Sequence, residues 1–433
     1  MKKRLQHWRL RVLPVVLALS GFAVTCQAED DSGLDIADIS GLDIADTLAR
    51  SAPSAPAKAS TSSQQRIFTE ATVSTTSQAG RSTQAARVSL DYFRRIGSGP
   101  RMYGIVSGRL DNSWGPAPRS SRDSVHTLRE LYVEWQGSPN WIVNAGRINA
   151  QFGEAIAFNP TDFFREGSLR SVTSVLPSDL RDNRQGSVML RMQRLWNGGS
   201  VTVIGSPRLP KHSSKNTFSL DLAATNPSQR WLVAISQKFG QQVTPQLVFA
   251  GGASQPPKVG FSVSWLPRPD TVAYVEANVA RRPTTLASIG AWHDDTRLRP
   301  QVAVGAKWNA TDAISINLEL DVDKTAPGTA QVAALTTAPP AVRQAFIETL
   351  LRNQNLAYPR QLFVAATWKD LLGPKGNVSA LARIDAQSRR GQYWIELRKR
   401  YGATELGAQF LSTPGSALQT RGAKFSFVLD HYF

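Results

Sequence analysis

The sequence predicts an all-β protein, a transmembrane antiparallel β-barrel of about 14 to 18 strands, with roughly 16 to 18 favoured. Three observations predict this class. Short segments in which apolar and polar residues alternate recur from about residue 85 to the C-terminus. Charged residues stand inside these segments on the polar side, and tryptophans stand at their ends.

The first 28 residues have the pattern of a secretory signal peptide. A basic start precedes the apolar run VLPVVLALSGFAV, and Ala28 offers a small residue at the cleavage point. This run is shorter than the about 20 residues that a membrane-spanning helix needs. Cys26, the single cysteine of the chain, follows Thr25, which matches a lipoprotein cleavage box poorly. We therefore expect a mature chain without disulfides.

The chain carries 50 Lys and Arg against 33 Asp and Glu, a formal net charge of +17. No segment after the signal is long and apolar enough for a membrane-spanning helix, which excludes an inner-membrane helical protein. Charges on the polar strand faces nearly balance, so the positive surplus lies in connections such as PRLPKHSSK and TRLRP. Basic connections suit the phosphates of lipopolysaccharide or an anionic polymer. A secreted barrel is not expected to meet nucleic acid.

Residues 29–84 are predicted to be a low-complexity periplasmic segment that precedes the barrel domain at 85–433. The segment is rich in Ser, Thr, Ala, Gln and Pro, which do not bury enough apolar surface to order a chain. It contains the sequence GLDIAD at 33–38 and again at 41–46. A disordered leader, a docking motif for a periplasmic secretion component and a plug for the pore all fit this pattern.

The alternation is clearest in AISINLELDV, where Leu318 and Leu320 point to one face and Glu319 to the other. The segments KVGFSVSW and QVAVGAKW repeat the pattern. The first candidate strand is placed at 85–95, and another candidate is placed at 217–225.

Charged side chains in mid-strand fit a water-filled lumen better than the core of a soluble sandwich, where unpaired charge is costly. They are Arg109, Asp221, Glu319, Arg383, Arg398 and Asp430. Tryptophans at strand ends fit the aromatic girdle of a membrane interface. They are Trp135, Trp141, Trp196, Trp231, Trp265, Trp308 and Trp368. Alternate assignment of turns puts the long stretch 151–185 on the periplasmic side, which indicates a wrongly assigned strand or a segment folded into the lumen.

The C-terminal stretch KFSFVLDHYF alternates up to the last residue. Its predicted apolar face consists of Phe425, Phe427, Leu429, His431 and Phe433. A terminal strand of this kind fits a closed barrel, whose last strand pairs with its first. The pattern resembles the C-terminal sorting signal of bacterial outer-membrane barrels, which implies recognition by the barrel assembly machinery. His431 stands where that signal more usually has an aromatic residue.

The stretch GRINAQFGEAIAFNPTDFF at 146–164 is the least strand-like and predicts a pore constriction. Its candidate residues are Arg147, Glu154, Asn159 and Asp162, joined by Arg109 and Arg191 from the strand faces. Gly153 permits a sharp turn. Arg147 and Glu154 are expected to pair across the lumen, and Asp162 to bond nearby backbone amides. The same residues fit a structural clamp on an inward-folded loop, and the sequence leaves both roles open.

This stretch, with LRELYVEW before it and LRDNRQGSVMLR after it, resembles uncharacterised outer-membrane porin-like families related to alginate-export-type porins. The likeness covers about residues 125–195, and Phe152 replaces what is often Trp. The resemblance implies a large monomeric pore that passes a polymer or a hydrophilic solute, and it names no substrate. The strand faces do not indicate a strongly anion-lined channel of the alginate type.

The segment TTAPPAVRQAFIETLLRNQN, inside the long connection 323–360, predicts a helix. Pro339 and Pro340 suit its first turn. Its apolar stripe consists of Val342, Phe346, Ile347, Leu350 and Leu351. Packing against neighbouring loops and a gate over the pore are both open.

No catalytic, nucleotide-binding or metal-binding motif is recognisable, so we predict that the protein is not an enzyme and uses no cofactor. We expect a passive channel in the outer membrane of a Gram-negative bacterium, for export of an exopolysaccharide or passage of hydrophilic solutes. The alternative is a structural anchor of a secretion or surface-polymer complex that recruits a periplasmic partner through the GLDIAD repeats. The expected partners are the lipid bilayer, lipopolysaccharide, the barrel assembly machinery and periplasmic secretion components.

Overall fold

A computed structural model of the chain describes residues 64–433, apart from 79, 98, 116–123, 173, 211–215, 387 and 414–420. The expected signal peptide and both GLDIAD repeats lie outside the described residues. The strands are β1 (Gln64–Gln78), β2 (Arg81–Gly97), β3 (Met102–Trp114), β4 (Ser124–Ser138), β5 (Trp141–Ile148), β6 (Ser187–Trp196), β7 (Gly199–Ser206), β8 (Arg230–Gln237), β9 (Val243–Gly252), β10 (Gln255–Arg268), β11 (Thr271–Arg282), β12 (Arg297–Asn309), β13 (Ile314–Asp323), β14 (Arg360–Trp368), β15 (Gly376–Asp385), β16 (Gly391–Tyr401), β17 (Thr404–Thr413) and β18 (Gly422–Tyr432). The helices are α1 (Pro177–Asp182), α2 (Leu222–Thr225), α3 (Thr285–Ser288), α4 (Thr329–Thr337) and α5 (Pro340–Asn353).

The 18 strands form one antiparallel sheet in which each strand pairs with its neighbours along the chain. β1 also pairs with β18, from Phe68 opposite Tyr432 to Gln78 opposite Gly422. Because none of the described strands is left with a free edge, the sheet is a closed barrel. The predicted fold class is confirmed, at the upper end of the predicted strand number.

Side chains on β13 illustrate why this sequence closes into a barrel with an apolar exterior. Leu318 and Leu320 face outward and are 50% and 47% exposed, whereas Glu319 and Asp321 face inward and are fully buried. Alternation along each strand therefore gives an apolar outer surface and a polar interior. This is the arrangement of barrels that span a membrane, where lipid contacts the outside and every backbone group is paired within the sheet.

The connections divide between the two ends of the barrel. One end, the short-turn rim, carries only short connections such as 139–140 and 402–403. The other end, the long-loop rim, carries the connections 149–186, 207–229 and 324–359. The predicted girdle tryptophans are all 40–49% exposed. With the exception of Trp231, they lie at the strand ends next to the short-turn rim.

The sequence misses the first strand and predicts one strand that is absent. These two errors explain why the sequence places the long stretch 151–185 on the periplasmic side. β1 begins at Gln64, inside the segment predicted to be low-complexity, because pairing with β2 and β18 holds a strand whose β-branched Thr residues fit a pleated sheet. Residues 217–225 form no strand, since Asp221 has a φ of 46° and α2 follows it. The two errors cancel in the strand count, which stays at 18. With one more strand before it, the connection 149–186 lies at the opposite end of the barrel, the long-loop rim.

The long connection 324–359 contains the predicted helix as α5, preceded by the shorter α4. Phe346 is fully buried and packs with Leu286 and Leu335, so the apolar stripe lies against the loop that contains α3. Ile347 and Leu351 remain 38% and 52% exposed. None of the described helices is long and apolar enough to cross a membrane.

Candidate functional site

The connection between β5 and β6, residues 149–186, crosses the interior of the barrel, and we call it the crossing loop. β5 and β6 are neighbours, yet the loop reaches β11, β13 and the strands β14 to β16 on the opposite side of the ring. Ile156 and Ala157 pack there against Phe363 and Trp394. The predicted constriction stretch therefore lies inside the lumen, as one of the two sequence alternatives expected.

Glu319 of β13 binds residues 156–158 of the crossing loop. Its carboxylate accepts hydrogen bonds from the backbone N–H groups of Ile156 at 2.7 Å, Ala157 at 3.0 Å and Phe158 at 2.9 Å. The hydroxyl of Tyr274 donates to the same carboxylate at 2.7 Å. An ionised carboxylate has four acceptor positions, and all of them are used here.

Glu276 of β11 receives the residues on either side of that segment. Its carboxylate accepts from the backbone N–H groups of Glu154 at 3.0 Å and Ala155 at 3.1 Å. Thr161 donates to it twice, from its backbone N–H at 2.6 Å and from its hydroxyl at 2.9 Å. Buried backbone donors outside regular structure need such partners, and two glutamates on other strands supply them.

Gly153 allows the loop to lie directly on Glu276. Its φ is +84°, a backbone conformation that residues with a side chain rarely adopt. A Cβ at this position would overlap the carboxylate of Glu276. The predicted turn at Gly153 is present. The close approach to the Glu276 carboxylate is a second reason why this position requires glycine.

The Asn159-Pro160 turn closes through a different residue from the predicted one. The side-chain oxygen of Asn159 accepts from the backbone N–H of Asp162 at 3.1 Å, while the carboxylate of Asp162 pairs with Arg184. Asp162 is 1% exposed, so a carboxylate there requires a cationic partner. Asn159 and Asp162 thus belong to one turn. Asn159 accepts the backbone hydrogen bond, and Asp162 forms the ion pair.

Residues of the connection 324–359 hold the crossing loop from the long-loop rim. Arg165 donates to the backbone oxygen of Asn159 at 2.6 Å and to the side chain of Asn355 at 3.2 Å. Gln354 donates to the backbone oxygen of Arg165 at 2.8 Å and accepts from Arg184. Burial lowers the pKa of Arg165 to about 10, against the opposing effect of Asp162.

Arg147 lies at the base of the crossing loop and does not form the predicted pair with Glu154. Its guanidinium donates to the backbone oxygen of Gly186 at 2.9 Å, to that of Leu220 at 2.5 Å and to the side chain of Gln185 at 3.1 Å. All three nitrogen atoms are engaged, since Gln185 and Gly186 end the crossing loop beside β5 and Leu220 of the connection 207–229 lies against them. Arg147 therefore ties the two ends of the loop together.

Arg109 and Arg191 lie on other parts of the wall. Arg109 is 4% exposed and contacts Glu70 of β1 at 2.8 Å and Asp111 at 2.9 Å. Arg191 donates to the side chain of Asn144 at 3.0 Å on the neighbouring strand. The structure thus brings together Glu154, Asn159 and Asp162 in the crossing loop and leaves the two strand arginines away from it.

Ion pairs cover the inner wall where β1 and β18 close the barrel, and we call these pairs the seam network. Its members are Glu70, Arg87, Asp91, Arg109, Asp111, Arg129, Glu396, Arg398, Glu405 and Asp430. Arg398 of β16 contacts Glu405 at 2.6 Å and Asp430 of β18 at 2.8 Å. One group of these pairs lies on β1 to β4 and the other on β16 to β18, so the network flanks the closing strands on both sides.

A cavity of about 210 Å³ lies between the crossing loop, β10 to β12 and the connection 324–359. Lys258 and Arg282 line it beside Phe163, whose ring centroid is 5.6 Å from the Lys258 ammonium. The Nε of Arg282 has no hydrogen-bond partner among the described residues. Glu166 also lines the cavity, and its carboxylate accepts from Gln255 at 3.2 Å. Lys258 also donates to the side chain of Gln255 at 3.2 Å, so the lining combines cationic, carboxylate and amide groups.

The predicted sorting residues lie on the closing strand β18, except Phe433, which directly follows it. Phe425, Phe427 and Phe433 are 43%, 60% and 63% exposed, and the ring of His431 is bonded to the hydroxyl of Thr404 at 3.0 Å. Recognition of this strand by an assembly machine stays a prediction.

The sequence missed the two glutamates that organise the site. Glu276 and Glu319 are visible as inward-facing charges in mid-strand, but nothing near them indicates that their partners lie more than 100 residues earlier in the chain. Among the described residues, no group of three His, Cys, Asp or Glu side chains is arranged to hold a metal ion.

Solved structures of Occ and Opd outer-membrane porins share this fold. OccAB1 of Acinetobacter baumannii is 12% identical over 88% of this chain and 99% of its own, with a TM-score of 0.55. OccK5 (OpdH) of Pseudomonas aeruginosa is 9% identical over 87% of this chain and 99% of its own, with a TM-score of 0.53. OccK2 (OpdF) of Pseudomonas aeruginosa, in complex with glucuronate, is 11% identical over 86% of this chain and 98% of its own, with a TM-score of 0.53.

The fold is that of an outer-membrane porin. It agrees with the predicted localisation in the outer membrane of a Gram-negative bacterium. The comparisons support the porin-like part of the sequence resemblance and do not support its alginate-export part. No protein-family model matches the chain. No curated protein matches it either.

Proposed function

We propose that the protein is an outer-membrane channel through which small hydrophilic solutes diffuse. The observation that supports this most is the crossing loop, which narrows a charged, polar lumen inside a closed barrel. A lumen of this kind passes water-soluble molecules, and an inward-folded loop sets which of them fit. The long-loop rim is assigned to the cell surface and the short-turn rim to the periplasm, as is usual for such barrels. We expect no enzymatic activity.

Small anionic solutes are the favoured cargo within this proposal. Lys258 and Arg282 line the cavity beside the crossing loop, and the ring of Phe163 offers an apolar face next to them. Among the charged lining residues, Arg165, Lys258 and Arg282 stand against Asp162 and Glu166, which gives the cavity a positive balance. OccK2 (OpdF), which shares the fold, has been solved with glucuronate, a sugar acid of a size and charge that suit such a site.

An exopolysaccharide is the less favoured cargo. The crossing loop is fixed at the opposite wall by Glu276 and Glu319 and at the long-loop rim by Gln354. A polymer would have to pass this fixed obstacle along its whole length. The anchor hypothesis concerns the repeats at 33–46, and deleting them tests it, because a docking role predicts lost co-purification of periplasmic components with conductance intact. Contacts with lipopolysaccharide and the assembly machinery are also proposals.

Single-channel recording in a planar bilayer tests the proposal. Refolded protein that runs heat-modifiably on a gel should give discrete conductance steps, with a reversal potential in a salt gradient that indicates anion preference. Glucuronate should interrupt the current in a concentration-dependent way. The double variant Lys258→Gln with Arg282→Gln should weaken this block, whereas Lys238→Gln, at the short-turn rim, should not. A folded barrel that stays silent would overturn the proposal.

A further inference from the structure

We propose that Glu276 and Glu319 are the positioning residues of the channel, whose carboxylates hold the crossing loop at the opposite wall and thereby set the size limit for solutes. The inference rests on the proposed channel function. It assigns the geometry of the passage to two side chains of the wall rather than to residues of the loop itself.

The hydrogen-bond accounting of the two carboxylates is complete. Each of the four oxygen atoms accepts two donors, at distances between 2.6 and 3.1 Å. The donors are the backbone N–H groups of Glu154, Ala155, Ile156, Ala157, Phe158 and Thr161, with the hydroxyls of Thr161 and Tyr274. Both lone pairs of every oxygen are thus used, which leaves no acceptor position free on either side chain.

The consecutive N–H groups from Glu154 to Phe158 give this part of the loop its path. They belong to no helix or strand, so the backbone has no internal partner for them. Ala155 is fully buried and Phe158 is 2% exposed, and donors at such depth require acceptors. The positions of Glu276 on β11 and Glu319 on β13 therefore fix where the loop meets the wall.

Residues 155–157 of this segment also make contacts of two other kinds. Ile156 and Ala157 make non-directional apolar contacts with Phe363 and Trp394, which a sliding loop could keep. Arg181 donates to the backbone oxygen of Ala155 at 2.5 Å, but Arg181 is itself part of the crossing loop. The backbone N–H groups of residues 154–158 are attached to the barrel wall by the two carboxylates.

The test compares Glu276→Gln, Glu319→Gln and the double variant with Glu134→Gln. A glutamine keeps the size of the side chain but turns an acceptor oxygen into an amide nitrogen, which would face two hydrogen-bond donors, at least one of them a backbone N–H. Glu134 faces the lumen from β4, where it bonds Gln136 and Asn144 at 3.0 Å and does not touch the loop. It therefore reproduces the loss of a hydrogen-bonded lumen carboxylate without removing a hydrogen bond to the loop.

We expect the Glu276 and Glu319 variants to remain heat-modifiable, to admit larger sugars in liposome swelling, and to show noisier conductance with substates. A cysteine introduced by Ala157→Cys should react severalfold faster with a membrane-impermeant thiol reagent in the Glu319→Gln background. Labelling is site-specific, because the single natural cysteine, Cys26, lies in the expected signal peptide. The Glu134→Gln variant should match the wild type in size limit and labelling rate.

Unchanged size limit, noise and labelling in the double variant would overturn the inference. If the glutamine variants fail to fold, Glu319→Asp gives the answer, since it keeps the charge but shortens the reach to the loop. Glu319→Asp should also admit larger sugars than the wild type. A size limit equal to that of the wild type would count against the inference. A wild type without conductance would instead sink the proposed function, so the two failures are distinguishable.

Discussion

Thr161 donates two hydrogen bonds to the same oxygen of Glu276, one from its backbone N–H at 2.6 Å and one from its hydroxyl at 2.9 Å. The two residues are 115 positions apart in the chain. Their contact fixes the crossing loop immediately after Pro160, at the point where the chain turns back from the wall. The pair links the lumen wall to the predicted constriction stretch.

Thr161→Val should loosen the loop locally while the barrel stays intact. The variant removes one bond to a buried carboxylate, and a hydrogen bond to a charged group contributes about 1.5–3 kcal/mol. Hydrogen exchange at the amides of residues 154–158 should therefore become faster. Thr296→Val is the control, because its hydroxyl bonds the exposed Asp294. Equal exchange in the two variants would contradict the role given to Thr161.

Gly153→Ala should destabilise the protein more than Gly290→Ala, although both glycines have a left-handed backbone conformation. Gly153 and Gly290 have φ values of +84° and +72°, but a Cβ at Gly290 meets no atom within 4 Å. Both alanines carry the left-handed backbone cost of about 1–2 kcal/mol, and only the one at residue 153 overlaps Glu276. Protease sensitivity of the refolded protein should rise clearly for Gly153→Ala. Similar sensitivity for both would mean that the close approach is unimportant.

Arg109→Met should weaken closure of the barrel. The arginine bridges Glu70 of β1 and Asp111 of β3, and removing one partner of a buried ion pair costs about 3–5 kcal/mol. The temperature at which the heat-modifiable band unfolds should fall. Arg191→Met loses a single bond to Asn144 and should lower it less. A smaller drop for Arg109→Met than for Arg191→Met would refute the importance of the seam network.

Asp179 should make ion selectivity depend on pH. Burial raises its pKa to about 6 from the usual 3.8, and Glu396 and Asp182 add to this rise. Asp179 lies in α1 of the crossing loop, so it is neutral below about pH 6 and adds a negative charge to the lumen above it. Since the folded state binds this proton more tightly than the unfolded chain does, its contribution to stability also falls as the pH rises from 3.8 to about 6.

Reversal potentials at about pH 5 and pH 7 measure this effect, since the two values lie on either side of the shifted pKa. The wild type should lose anion preference as the pH rises. Asp179→Asn keeps the side-chain size and cannot ionise, so its selectivity should change less. An identical pH dependence in both proteins would exclude Asp179 as the titrating group.

Strand alternation was sufficient to predict the barrel, because each strand of a membrane barrel carries its own inside–outside pattern. Leu318, Glu319 and Leu320 illustrate this, with exposures that alternate as their sequence does. β1 was missed because Ser, Thr and Gln dominate it, and its strand character comes from pairing on both sides. The false strand at 217–225 alternates as well, but it has no such partners and breaks at Asp221.

The constriction could be located from the sequence, but its contacts could not. Gly153 and the Asn159-Pro160 turn mark a chain that departs from strand geometry, and these signals are local. The partners of this stretch are Glu276, Glu319 and Arg184, which come from distant strands or from the other end of the loop. Local patterns carry no information about such pairs, so the sequence predicts a pair of Arg147 with Glu154, whereas Arg147 binds residues at the base of the loop.

The most direct test of the account compares single-channel conductance of the wild type with that of a chain whose residues 152–180 are replaced by a short Gly/Ser linker. If the protein is a water-filled barrel narrowed by its crossing loop, both should give discrete steps, and the shortened chain should give larger ones. Folded, heat-modifiable protein without steps, or equal step sizes in the two chains, would contradict the account.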